Sequence, residues 1–187
     1  MAEAKDNIVT KGLSGTIARM LTFRQRAGKT IVAKLRRATP ASDSEKSVTV
    51  RTKFTSSIDY AKKAILDAAT KALYQAAAKP GQSAFNVAVA DAFNAPEIES
   101  IDSSAYHGAV GDAITVRATD DFKVTGVTVS IHNAAGDLLE QGAAVVQENT
   151  IDWLYKSTVV NAALAGSKIT AVAADLPGNS TSFDKTL

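Results

Sequence analysis

The 187-residue chain contains no cysteine, which removes a disulfide framework, a thiolate zinc site and a thiol nucleophile together. Histidine occurs twice, at His107 and His132, and not at the His-x-x-x-His spacing that sets two metal ligands on one helical face. One Trp and four Tyr serve a sugar-binding platform poorly, and Trp153 reads as a core residue. No apolar run is long enough to span a bilayer, and the opening Met1-Ala2-Glu3-Ala4-Lys5-Asp6-Asn7 lacks the apolar region of an export signal. The expected location is the cytoplasm, or a virion or other particle assembled there, with no membrane partner. A net charge of +2 is too small to mark nucleic acid as a partner of the whole surface, so any electrostatic function must be local.

Charge is concentrated at one place. Lys11, Arg19, Arg24, Arg26, Lys29, Lys34, Arg36 and Arg37 follow one another with no acidic residue between them. Inside this block, 16–23 and 30–35 favour strand, and Gly28 in the intervening loop supplies the positive φ of a hairpin. Two strands alone are marginal in water, so this basic hairpin needs a partner surface.

After Thr39-Pro40 the pattern becomes helical. Ser42 with Glu45 fits a capping box, and Val50, Phe54, Ile58, Ala61, Ile65, Ala68, Ala72 and Ala76 repeat at three and four residues, predicting one long helix stopped by Lys79-Pro80-Gly81. Ser83 caps a shorter helix with Phe85, Val89 and Phe93 on one stripe, and the two make a helical hairpin. From Pro96 the period falls to two. Strands are expected at 97–101, 113–118, 124–132, 138–144, 151–160, 168–174 and 180–184, a spacing that reads as an antiparallel sandwich. The fold class is α+β in three parts: a basic arm and β-hairpin (1–40), a helical hairpin (41–96) and a β-sandwich (97–187).

The stretch Ala118-Thr119-Asp120-Asp121-Phe122-Lys123-Val124-Thr125-Gly126-Val127-Thr128-Val129, followed by Gly166-Ser167-Lys168-Ile169-Thr170-Ala171-Val172-Ala173-Ala174-Asp175-Leu176-Pro177-Gly178-Asn179, resembles bacterial immunoglobulin-like and fibronectin-type modules. These end their penultimate strand in a similar Ala-x-Asp-x-x-Gly-Asn turn. The resemblance covers residues 97–187 and implies a fold used for spacing, adhesion, virion decoration and enzyme appendages alike. The whole chain, with Gly12-Leu13-Ser14-Gly15, the basic hairpin and Arg51-Thr52-Lys53-Phe54, is similar to a family of small Bacteroidota proteins that implies no established activity.

Motifs for chemistry are weak. Gly28-Lys29-Thr30 lacks the glycine five residues upstream that a phosphate loop needs, since Phe23 stands there, and a hairpin turn accounts for it. No Gly-x-Ser-x-Gly elbow supports a hydrolase. Asp112, Asp120, Asp121 and Asp175 fall in expected loops without the dense Asp-x-Asp-x-Asp spacing of a calcium loop, and read as turn formers, with Asp175 and Asn179 tying one loop. The expectation is a non-enzymatic structural subunit with no cofactor, no metal and no small-molecule substrate. Its partners would be copies of itself or other subunits of an assembly. Arg19, Arg24, Arg26, Lys29, Lys34, Arg36 and Arg37 would dock electrostatically, and Ile17, Leu21, Phe23, Ile31 and Val32 would form the buried side of the hairpin. The alternative is a nucleic-acid-binding accessory protein that uses the same hairpin.

Overall fold

The computed structural model describes residues 2–4, 10–26, 28–35 and 44–187, residues 2–4 in their backbone alone. It is α+β, with three helices and three antiparallel sheets. Among the described residues no helix is long and apolar enough to cross a membrane.

The N-terminal sheet has the order β1-β4-β3-β2, built from β1 (Ala2–Ala4), β2 (Gly15–Ile17), β3 (Leu21–Arg26) and β4 (Lys29–Lys34). The sequence predicts two strands. Two short flanking segments pair onto the outer edges of that hairpin and make it four-stranded. The expected 16–23 strand is broken, because Ala18 and Arg19 take φ of 51° and 54° and Met20 N–H donates to Ile17 C=O at 3.0 Å, reversing the chain. At the other turn Arg26 pairs with Lys29, and Gly28 has φ 76°, so Gly28-Lys29-Thr30 belongs to a hairpin.

Helix α1 (Glu45–Ala64) starts at Ser44, whose side chain accepts from Ser47 N–H; the expected cap, Ser42, lies outside the described residues. The single long helix of the sequence reading is two. Ile65 and Leu66 close the end of α1 in a tight turn, and Asp67 starts α2 (Ala68–Ala77) by accepting from both Thr70 N–H and Thr70 Oγ1. The restart changes the helical phase, so Ala68, Ala72 and Ala76 face outward and Tyr74 faces in. Val50 and Phe54 are exposed as well, and burial on α1 is confined to Ser57 and Ala61. Helix α3 (Ala84–Phe93), capped by Ser83 as expected, buries Ala84, Ala88 and Asp91. Ala61, Tyr74, Ala84 and Ala88 form a small core of their own.

The β-rich remainder holds the large core. One sheet has the order β5-β6-β10-β9, from β5 (Glu97–Asp102), β6 (Ala113–Thr119), β9 (Val145–Val146) and β10 (Asp152–Lys156). The other has the order β12-β11-β7-β8, from β7 (Val124–His132), β8 (Leu138–Ala143), β11 (Lys168–Asp175) and β12 (Ser180–Thr186). All seven expected strands form, the 151–160 strand ends early at Lys156, and the two-residue β9 is additional. Alternation points Ile114, Val116, Ala118, Trp153 and Tyr155 from one sheet, and Val127, Val129, Ile131, Ile169, Ala171 and Ala173 from the other, into a common apolar cluster. A register shift between Ile98 and Ser100 lets Ile98 and Ile101, three residues apart, both turn inward. The inward row of β11 ends on Asp175, which is 4% exposed, so a carboxylate terminates an otherwise apolar stripe.

Candidate functional site

Two places carry the functional questions. The first is the N-terminal sheet, where side chains of directly paired residues share a face and neighbours along a strand do not. Phe23 pairs with Val32 and Leu21 with Lys34, so these four share one face with Gln25, Thr30 and Ile17. Arg24 pairs with Ile31 and Arg26 with Lys29, so these lie on the opposite face. The expectation that Ile31 and Val32 share a buried side is therefore corrected, because adjacent strand residues point apart. Ile17 and Leu21 are also not buried, at 53% and 43% exposed, and Ile31 and Val32 are half-buried. Among the described side chains of this sheet Phe23 and Thr30 are buried, and neither belongs to the cores of the helices or the sandwich. Of the basic residues, Arg24, Arg26 and Lys29 converge on one face, Lys34 lies on the other, and Arg19 occupies the reversed turn. Arg36 and Arg37 lie outside the described residues. Gln25 Nε2 donates to Leu13 C=O and to Thr30 Oγ1, each at 2.8 Å, tying the segment before β2 to the hairpin.

The second place is where the helices meet one end of the sandwich. Asp91, on the inward row of α3, is 0% exposed. Its Oδ2 accepts from Tyr74 Oη at 2.5 Å, and because Tyr74 has spent its proton, Tyr60 Oη donates to Tyr74 across 3.0 Å. The Tyr74 ring leans on Phe122, which enters from the β6–β7 loop at 4.6 Å between centroids. That loop also delivers Asp120, whose Oδ2 accepts from the Phe122 and Lys123 amides. The end of β11 delivers Asp175. Its Oδ1 accepts from the amides of Gly178 and Asn179, and its Oδ2 from Asn179 Nδ2 at 2.7 Å. The same Nδ2 reaches the carbonyls of Asp91, Ala92 and Asn94 at 3.3–3.4 Å, which fastens the turn after β11 to the end of α3.

Asp91, Asp120 and Asp175 each place one carboxylate oxygen within 4.8 Å of the others. At an effective dielectric of about 20, each pair of like charges at that separation costs roughly 3–4 kcal/mol. The ion pairs among the described residues, Asp59–Lys62, Arg117–Asp152 and Lys168–Asp184, lie elsewhere. Burial pushes the Asp91 carboxyl up to about 7, against the Tyr74 hydrogen bond that lowers it, and the charges of Asp120 and Asp175 raise it further. Burial also raises the Tyr74 and Tyr60 hydroxyls, and donation to Asp91 holds the Tyr74 proton more firmly.

Asp112, Asp120 and Asp175 each cap a turn, as the sequence reading expects, while Asp121 accepts from Asn94 Nδ2. Asp91, Tyr74 and Tyr60 escaped that reading. The available signal was Asp91 itself, an acidic residue in helical phase with the alanines of the most apolar helix, at Ala84, Ala88 and Asp91.

No family model matches the chain, and no curated protein does. The crystal structure of an engineered protein superposes over 58% of this chain with a TM-score of 0.36 and 16% identity. This chain covers 29% of that protein's length, and a likeness of that degree carries no argument about fold or function.

Proposed function

We propose that the chain is a non-enzymatic structural subunit of a larger assembly, such as a virion-like or other particle built in the cytoplasm. It docks through its N-terminal sheet and presents an immunoglobulin-like sandwich. One observation carries this reading: a four-stranded sheet that buries Phe23 and Thr30 while leaving Ile17, Met20 and Leu21 at 43–66% exposure. Sheets of this size need an apolar face covered to persist, and contact with a neighbouring subunit would cover this one.

The immunoglobulin-like assignment draws support from connectivity. If β5, β6, β9 and β10 are strands A, B, D and E, and β7, β8, β11 and β12 are C, C′, F and G, the sheets read ABED and C′CFG, the arrangement of that architecture with one added edge strand. The turn resembling Ala-x-Asp-x-x-Gly-Asn falls between F and G.

The test is light scattering on the purified chain across concentration and salt. The expected result is a mass well above 19.5 kDa that falls toward the monomer in the double variant Ile17→Asp, Leu21→Asp. A wild-type monomer at every concentration and salt would refute the proposal.

A second reading is favoured by the convergence of Arg24, Arg26 and Lys29 on one face, which suits a phosphate backbone. It predicts nucleic-acid affinity whose logarithm falls with log salt at a slope of roughly 0.9 per phosphate neutralised, about 3 for these three cations. Salt-independent binding, or none, would exclude it.

A further inference from the structure

Asp91 Oδ1 and Asp120 Oδ1 are buried oxygens that no N–H or hydroxyl donor reaches, while the two carboxyls lie within hydrogen-bonding range of each other. This is unusual for carboxylates, whose buried oxygens almost always accept a donor or face a cation. Asp91 belongs to a side chain that is 0% exposed, so water cannot stand in freely. Both residues belong to the group that also includes Asp175, in which each offers one carboxylate oxygen within 4.8 Å of the others. Oxygens that share one calcium ion at about 2.4 Å can lie no more than about 4.8 Å apart, a limit this group meets.

We propose that Asp91, Asp120 and Asp175 bind a divalent cation, calcium in the first instance, and that the ion fastens the helices to the end of the sandwich. The donors are all oxygen, which selects calcium, magnesium or manganese over zinc or copper. They come from three separate elements, a helix, a loop and a strand end, and this irregular set suits the flexible shell of calcium better than the near-ideal octahedron of magnesium. Asp120 also lines a hollow of about 430 Å³ with Lys53, Asn94, Glu97, Thr119 and Asp121, which brings solvent to the outer side of the cluster. Lys53, at the rim, holds its ammonium over the Phe93 ring, 5.2 Å from the centroid.

The binding site is independent of the assembly role, and its test uses the full chain. Protein stripped with a chelator is titrated with calcium chloride at neutral pH, by calorimetry and by thermal unfolding. The expected result is one ion per chain and a rise in Tm of roughly 5–10 °C at a hundredfold excess over Kd. Asp120→Asn should abolish both signals. Because it removes one of three crowded like charges from a half-buried position, it should melt no lower than the stripped wild type, so loss of binding cannot be confused with loss of folding. The proposal is overturned if calcium, magnesium and manganese up to about 10 mM give neither heat nor a shift, or if Asp120→Asn keeps the shift. It is equally overturned if acidification alone stabilises the stripped protein while metal does nothing, the signature of a proton shared between Asp91 and Asp120.

Discussion

Gly108 and Gly111 sit in one loop with φ of 88° and 92°, yet their surroundings differ completely. A Cβ on Gly108 would collide with the Asn161 carbonyl oxygen, whereas one on Gly111 would meet open space. Gly111→Ala should therefore cost the left-handed penalty alone, about 1–2 kcal/mol. Gly108→Ala adds a backbone collision and should cost roughly 2–5 kcal/mol in total. Urea unfolding midpoints at constant m separate the two. In the same loop the amides of His107 and Ala109 donate to Asp112 Oδ2 at 2.7 and 2.9 Å and hold its carboxyl below the usual range. Arg117 does the same for Asp152, and Thr170 with Lys168 for Asp184. Carboxyls whose pKa is lower in the folded state contribute stability above about pH 4, the unfolded value, and lose it as pH falls through the folded value. Asp112→Asn should lower stability at neutral pH and flatten the acid limb of a pH–stability curve, so that variant and wild type converge as pH falls below about 4.

Among the helices, α2 buries one side chain, Tyr74, which reaches Asp91 through its hydroxyl and Phe122 through its ring. Tyr74→Phe keeps the ring and strands Asp91 Oδ2 without a donor, which should cost about 1–3 kcal/mol in denaturant unfolding. A loss below about 0.5 kcal/mol would mean that Asp91 finds another partner. The elements were legible in the sequence to different degrees. Strands of the sandwich were readable because alternation, turn glycines and Asp-rich loops agree at most boundaries, although nothing in the pattern marked the end at Lys156 or the short β9. The break between α1 and α2 was hidden because Ile65, Ala68, Ala72 and Ala76 prolong the helical period straight across it, and Asp67 announces the restart only to a reader weighing caps above periodicity. The turn at Ala18 and Arg19 was invisible for a different reason: neither residue favours positive φ, so pairing within the sheet imposes it. Asp120 and Asp175 were legible as turn formers. Their meeting with Asp91 was not, because it joins residues that the chain separates by a helix end, a loop and most of a domain.

For the molecule as a whole, stability is unevenly distributed. The sandwich core takes Ile114, Val116, Val129, Ile131, Ile169 and Ala171 to complete burial, while the N-terminal sheet buries Phe23 and Thr30. Hydrogen exchange on dilute protein should thus find amides of β6, β7, β10 and β11 protected at least about 100-fold more than those of β3 and β4. Raising the concentration until subunits associate should slow exchange in β3 and β4 selectively. Equal protection in the two sheets at high dilution would show that the N-terminal sheet is self-sufficient and needs no neighbour.

Phe122 and Asn179 leave the sandwich to enter the helices, and Asp91 leaves the helices to meet the sandwich. A gene cut at residue 96 would therefore not release an interchangeable cassette: each half would carry an open wound where the other had sat. Engineers who wish to transplant the β-rich portion onto a new host should bring α3 with it, or first redesign Asp120, Asp175 and Phe122 for life in solvent.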